Sequence, residues 1–114
     1  MKWITYTYIC FKISPPVIMK KFDLNNPELL KAASVLKVLG HPIRVLIIEL
    51  LFDSKRMTVS EIFKALNIEQ AIASHHLNTL KNKQVLVSER VGKNTYYAVA
   101  DIKLTEMILI LRRE

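Results

Sequence analysis

The chain of 114 residues has one cysteine, two glycines and no apolar run long enough to cross a bilayer. Each shortage excludes something. Cys10 cannot form an intramolecular disulfide, and no set of cysteines and histidines stands at the spacing of a closed zinc site. A reducing, cytoplasmic setting is the simplest expectation. Gly40 and Gly92 lie far apart, so no glycine-rich loop can cradle a phosphate, and no nucleophile stands beside a base in a recognisable motif. Neither an enzyme nor a cofactor is expected. Acidic residues are also scarce: ten Asp and Glu against seventeen Lys and Arg give a formal net charge of +7. That excess favours an anionic partner, nucleic acid or an acidic membrane surface, and charge alone does not choose between them.

What is present describes one folded domain. Hydrophobic residues make up 51% of the chain and charged residues 24%, enough for a single core in a chain too short for two. Residues 1–22 stand apart from it. Their opening, "MKWITYTYICFKISPPVI", is apolar, but Lys12 interrupts it, Pro15 and Pro16 end it, and no small-residue cleavage site follows. The period-two alternation from Ile4 to Tyr8 predicts an extended N-terminal arm. The competing expectation is a leader ahead of a natural start at Met19.

From Asn25 onward, helix signals follow one another at short intervals. Asn26 caps, Pro27 occupies a first helical position, Glu28 suits the positive end of the dipole, and Gly40 stops the helix. "HPIRVLIIELLFDS" restarts at Pro42 and runs apolar through Val45, Leu46, Ile48 and Leu51 as the central core helix. Thr58 and Glu61 have the spacing of a capping box, which opens a short helix to about Leu66. A fourth helix is predicted from about Glu69 to Lys83. Its wheel places Ala73, Leu77 and Leu80 on one stripe with Ile72 and His76 at the margin, and Ala71, Ser74, His75 and Asn78 opposite. Two β-rich runs joined by Gly92, Lys93 and Asn94 predict a hairpin, in which Tyr97 and Val99 face the core and Tyr96 is the more exposed tyrosine. Asp101 then caps a last helix with an apolar stripe of Leu104, Met107, Ile108 and Leu111.

Four helices, a hairpin and a further helix, with a short turn before a polar-faced fourth helix, is the order of a mainly α, winged helix-turn-helix fold. Three stretches carry a more specific resemblance: "KVLGHPIR", "SHHL" and "RVGK" followed by Tyr96 and Tyr97. In that order they resemble the ArsR/SmtB family of transcriptional repressors, over about Pro27 to Leu111. The resemblance implies that residues 23–114 form a DNA-binding and dimerisation domain. It also implies a two-fold homodimer, built from the first and last helices and bound to an inverted-repeat operator in double-stranded DNA. In such a domain the fourth helix enters the major groove, where Gln70, Ser74, His75 and Asn78 can reach base edges. Arg90, Lys93 and Asn94 on the wing, with Lys81, are positioned for phosphates. His76, at the margin, is expected to be a semi-buried hydrogen-bonding residue and not a base reader.

Many members of the family sense metals, and here the implied ligands are missing. Thr58 and Ser60 stand where the thiolates would be, and Lys103 stands where a histidine would follow Asp101, so no metal site is expected. Gln84 replaces the glycine that usually ends the recognition helix, leaving Asn82 or another turn to do so. Two other classes stay open. One is a winged protein-interaction module that binds through the apolar arm. The other is a membrane-surface protein, which the lack of a helix with both a basic and a broad apolar face disfavours.

Overall fold

The computed structural model describes residues 22–113. The expected arm, the alternative start at Met19 and Cys10 therefore lie outside the described residues, apart from Phe22 at the arm's end.

Among the described residues, four of the five helices begin at a side chain that satisfies their first backbone donors; the fourth, preceded by Glu69, has no such bond. In α1 (Pro27–Leu39) the Asn26 side-chain oxygen accepts from the Glu28 and Leu29 N–H groups at 2.8 and 3.3 Å. In α2 (Pro42–Ser54) His41 Nδ1 accepts from the Ile43 N–H at 3.2 Å. Ahead of α3 (Val59–Leu66) the capping box closes as expected: Thr58 Oγ1 accepts from the Glu61 N–H, and the Glu61 carboxylate accepts from the Thr58 N–H, both at 3.2 Å. Three residues later comes α4 (Gln70–Asn82), and after the hairpin the Asp101 carboxylate caps α5 (Ile102–Arg112) by accepting from the Lys103 N–H at 2.9 Å.

The hairpin consists of β2 (Leu86–Val91) and β3 (Asn94–Val99), antiparallel, with Val91 opposite Asn94. Its turn is thus Gly92 and Lys93 alone; Asn94, expected in the turn, opens β3. Gly92 has φ +63° at the first central position, where a type II′ turn needs it. The sequence showed no sign of β1 (Met57–Thr58), whose two residues pair with Tyr97 and Tyr96 and give a sheet of order β1-β3-β2. Two residues are too few to display a period; tertiary pairing alone makes them a strand.

The core draws on nearly every element. Ile47, Ile48 and Leu51 of α2, Ile62 of α3, Leu77 and Leu80 of α4, Val85 just before β2 and Leu86 at its start are all less than 2% exposed. Tyr97 packs there too and Val99 is partly buried against it, while Leu46, expected within the apolar run of α2, is 42% exposed. On α5, Thr105 and Ile108 face inward, Leu104 and Met107 are partly buried, and Leu111 is left outside. Glu49 and Arg112 tie α2 to α5 through an ion pair at 3.0 Å, of small worth because Arg112 is largely in water.

Both helices of the central helix-turn-helix end in the same way. After α3, Asn67 is left-handed at φ +55°, with its N–H on the Lys64 carbonyl and the Ile68 N–H on the Phe63 carbonyl. After α4 the left-handed residue is Gln84 itself, at φ +61°: its N–H reaches the Lys81 carbonyl at 2.9 Å, and the Val85 N–H reaches the Leu80 carbonyl at 3.0 Å. These are the paired bonds of a Schellman ending, completed by buried Val85 beside buried Leu80. Hence Asn82 is the last helical residue but not the left-handed one, and a residue with a Cβ, Gln84, occupies the position usually held by glycine. Replacing Gln84 with glycine should relieve that strain and raise stability by about 1 kcal/mol, measured by urea unfolding; an unchanged or lower midpoint would contradict the left-handed assignment.

Candidate nucleic-acid interface

Burial divides α4 into two faces. Ala73, Leu77 and Leu80 have no exposed surface and His76 retains 6%, so this stripe lies against the core. On the other side Gln70, Ala71, His75, Asn78 and Lys81 are exposed and Ser74 is half-buried. Gln70, Ser74, Asn78 and Lys81 follow one another at intervals of four, four and three, which sets them on one stripe beside His75. Ile72, at the margin, keeps 39% of its surface exposed. The short connection of Asn67, Ile68 and Glu69 holds α4 against α3, as a helix-turn-helix requires.

The remaining expected contacts stand on the hairpin. Arg90, Lys93 and Asn94 are all exposed at its outer end, with Lys93 in the turn itself. Val91, also near the tip, is 45% exposed and makes the wing less polar than one with a charge there. The α4 stripe and the wing tip are separate patches on consecutive elements, and no hydrogen bond or ion pair links them among the described residues. Each therefore presents unpaired polar groups to solvent. Their side chains supply donors and acceptors suited to base edges, and cations suited to phosphate. Tyr96 is half-buried and carries the Arg56 guanidinium 4.4 Å above its ring, a contact that the sequence reading did not foresee.

A second unforeseen feature lies behind the stripe. Arg44 of α2 donates from Nε to His76 Nδ1 at 3.1 Å and from Nη1 to the Val38 carbonyl at 3.1 Å. The His41 ring is centred 4.4 Å from that of His76, and the His75 ring 5.3 Å from it. Burial, and then the neighbouring His41, Arg44 and His75, hold the His76 imidazole below its ordinary value of 6.5. His76 is thus a hydrogen-bonding residue as expected, but buried on the core stripe and not semi-buried at its margin, because Arg44 and His41 close over it. The sequence signal for Arg44 is a lone cation within the apolar "IRVLII", which needs a polar partner when the helix is buried.

The positions that hold metal in other family members do not fit an ion here. The Thr58 hydroxyl and the Asp101 carboxylate are both engaged in capping helices, and Ser60 and Lys103 are poor ligands. Among the described residues no three His, Cys, Asp or Glu side chains gather as a metal site, and no helix is long and apolar enough to cross a membrane.

Comparison with known proteins agrees with this geometry. Residues 41–85, which run from the cap of α2 to the end of the α4 Schellman turn, match the model of the arsR family of bacterial regulatory proteins. The uncharacterized HTH-type transcriptional regulator MJ1325 of Methanocaldococcus jannaschii is 33% identical over 81 residues, 71% of this chain and 91% of that protein. The transcriptional repressor PagR of Bacillus anthracis is 33% identical over 79 residues, 69% of this chain and 79% of that protein. The PagR crystal structure superposes with a TM-score of 0.69 at 32% identity, covering 75% of this chain and 97% of that one. The homodimeric winged helix-turn-helix domain of Mb0332 from Mycobacterium bovis superposes with a TM-score of 0.68 at 25% identity, covering 82% and 87%. With its capped helices, outward polar stripe and basic hairpin, the chain belongs to the ArsR family of bacterial regulatory proteins and is a DNA-binding transcriptional regulator of the winged helix-turn-helix form.

Proposed function

We propose that the chain is a repressor that acts in the cytoplasm and binds an inverted-repeat operator in duplex DNA as a homodimer. The outward stripe of α4 carries this reading, because a sealed apolar back and a polar front are what a helix inserted in a major groove needs. Gln70 and Asn78 have the amide geometry that pairs with adenine, while Ser74 and His75 offer shorter-reach hydrogen bonds to bases or phosphates. Lys81, Arg90, Lys93 and Asn94 contact the backbone on either side. PagR, similar over most of its length, is named a transcriptional repressor, which supports repression.

The dimer is supported by apolar surface that one chain leaves uncovered. Leu36 of α1, Leu46 of α2 and Leu111 of α5 are 56%, 42% and 78% exposed, and they border a groove of about 590 Å³ together with Leu39, Val45 and Met107. A second copy placed there removes that surface from water and presents two α4 helices for half-sites roughly 34 Å apart. The Mb0332 domain, of the same fold, is described as homodimeric.

Selection of bound duplexes from a random pool tests the reading. An enriched, palindromic motif is expected; retention of sequences without one would refute it. His75→Ala should change the preferred bases, whereas Lys93→Ala should weaken all duplexes alike and lower the salt slope by about one. Leu111→Glu should shift the protein to monomer in sedimentation and cost at least about tenfold in DNA affinity through lost bivalency; a variant that stays dimeric would remove α5 from the interface.

A further inference from the structure

We infer that Arg44 and His76 form a positioning pair that clamps α4 to the corner between α1 and α2, and that the clamp holds only while the His76 imidazole is neutral. The inference deepens the reading of α4 as the DNA-contacting helix. The geometry is that of a two-pronged tie. One guanidinium donates forward to His76, in the middle of α4, and backward to the Val38 carbonyl, in the buried last turn of α1. It therefore joins the helix behind the DNA-facing stripe to a helix of the dimer layer.

The donor and acceptor roles fix the protonation state. Arginine has only donors, so Nδ1 of His76 must be the acceptor and the ring proton must sit on Nε2. A doubly protonated ring has no acceptor to offer, and Arg44 would then face an N–H and a second positive charge at a site that is 6% exposed. The ionisable groups acting on His76 are Arg44 of α2, His41 at the cap of α2 and His75 of its own helix. None is a carboxylate, so none would compensate the new charge. His41 already uses its Nδ1 to cap α2, and all three histidines of the chain form one run of neighbouring rings, His41, His76, His75.

The consequence reaches the outward stripe because His76 shares its backbone with His75 and lies two residues from Ser74 and Asn78. Releasing Arg44 frees α4 to shift as a rod, which moves every side chain aimed at DNA. The sign follows from the folded-state value lying below 6.5. The clamp's contribution is complete above that pH and is lost as pH falls through the window beneath it.

Two measurements test this. In the free protein, ¹⁵N imidazole and amide spectra recorded from about pH 7.5 to about pH 5.5 should show His76 Nδ1 unprotonated at the start. The amides of residues 70–78 should then move together with the His76 midpoint. Amides of α4 that ignore that midpoint would overturn the inference whether or not the protein binds DNA. In the second measurement, wild-type affinity for a duplex recovered from the random pool should fall roughly tenfold over the same range, the scale of one hydrogen bond to a charged group. His76→Leu should bind weakly throughout. His76→Asn, whose Oδ1 takes the place of Nδ1 as an acceptor that does not titrate, should restore binding and abolish the acid-induced fall. His75→Asn should keep the fall. A His76→Asn protein that loses affinity on acidification as steeply as wild type would refute the clamp. Failure of every variant and the wild type to bind any duplex would instead refute the DNA reading, leaving the clamp to the spectra.

Discussion

Burial of Leu77 and Leu80 takes two leucine side chains out of water, each worth about 1.5–3 kcal/mol, and this contact sets the rotation of α4 about its own axis. A helix fixed at those two points and at Ala73 has no freedom left to choose which side chains face outward. The polar stripe is therefore a by-product of core packing as much as of the residues that compose it. Ala73 contributes through its smallness, since a larger side chain there would meet a site with no exposed surface and push the helix away. The left-handed turn at Gln84 depends on the same contact, because Val85 must fold back beside Leu80 for the chain to enter β2.

Much of this was legible in the sequence, for a physical reason. Caps are local, so Asn26, Thr58 with Glu61, and Asp101 could be read one by one, and the 3.6-residue period separated the two faces of α4 without knowledge of what covers them. Strand alternation likewise distinguished Tyr97 from Tyr96. The features that escaped are those decided by partners distant along the chain. β1 exists only because Tyr96 and Tyr97 pair with it; Arg44 finds its acceptor thirty-two residues away; and Arg56 lies over a ring forty positions later. The end of α4 escaped for another reason. Propensity assigns left-handed backbone to glycine or asparagine, and the packing of Leu80 against Val85 overrides it at Gln84.

The apolar stripe of α5 illustrates a limit of periodicity. Leu104, Met107 and Ile108 belong to the core of their own chain, whereas Leu111, on the same stripe, projects into solvent with Ile110 beside it. Periodicity gives the face of a helix but not how far along that face the core extends. The difference came from geometry: α5 runs past the end of the core, and the part that overhangs is the part that adjoins the groove with Leu36 and Leu46.

The order β1-β3-β2 leaves β2 as an outer strand, one side of its backbone unpaired among the described residues. Such a row of free amides and carbonyls is a template for the strand of another molecule, and Val87 and Val91, both well exposed, would make pairing attractive. Glu89 and Arg90 stand between them. Ionic side chains of opposite sign midway along a six-residue edge would have to be desolvated for a stranger to dock, and this deters sheet-to-sheet aggregation at the rim of the wing.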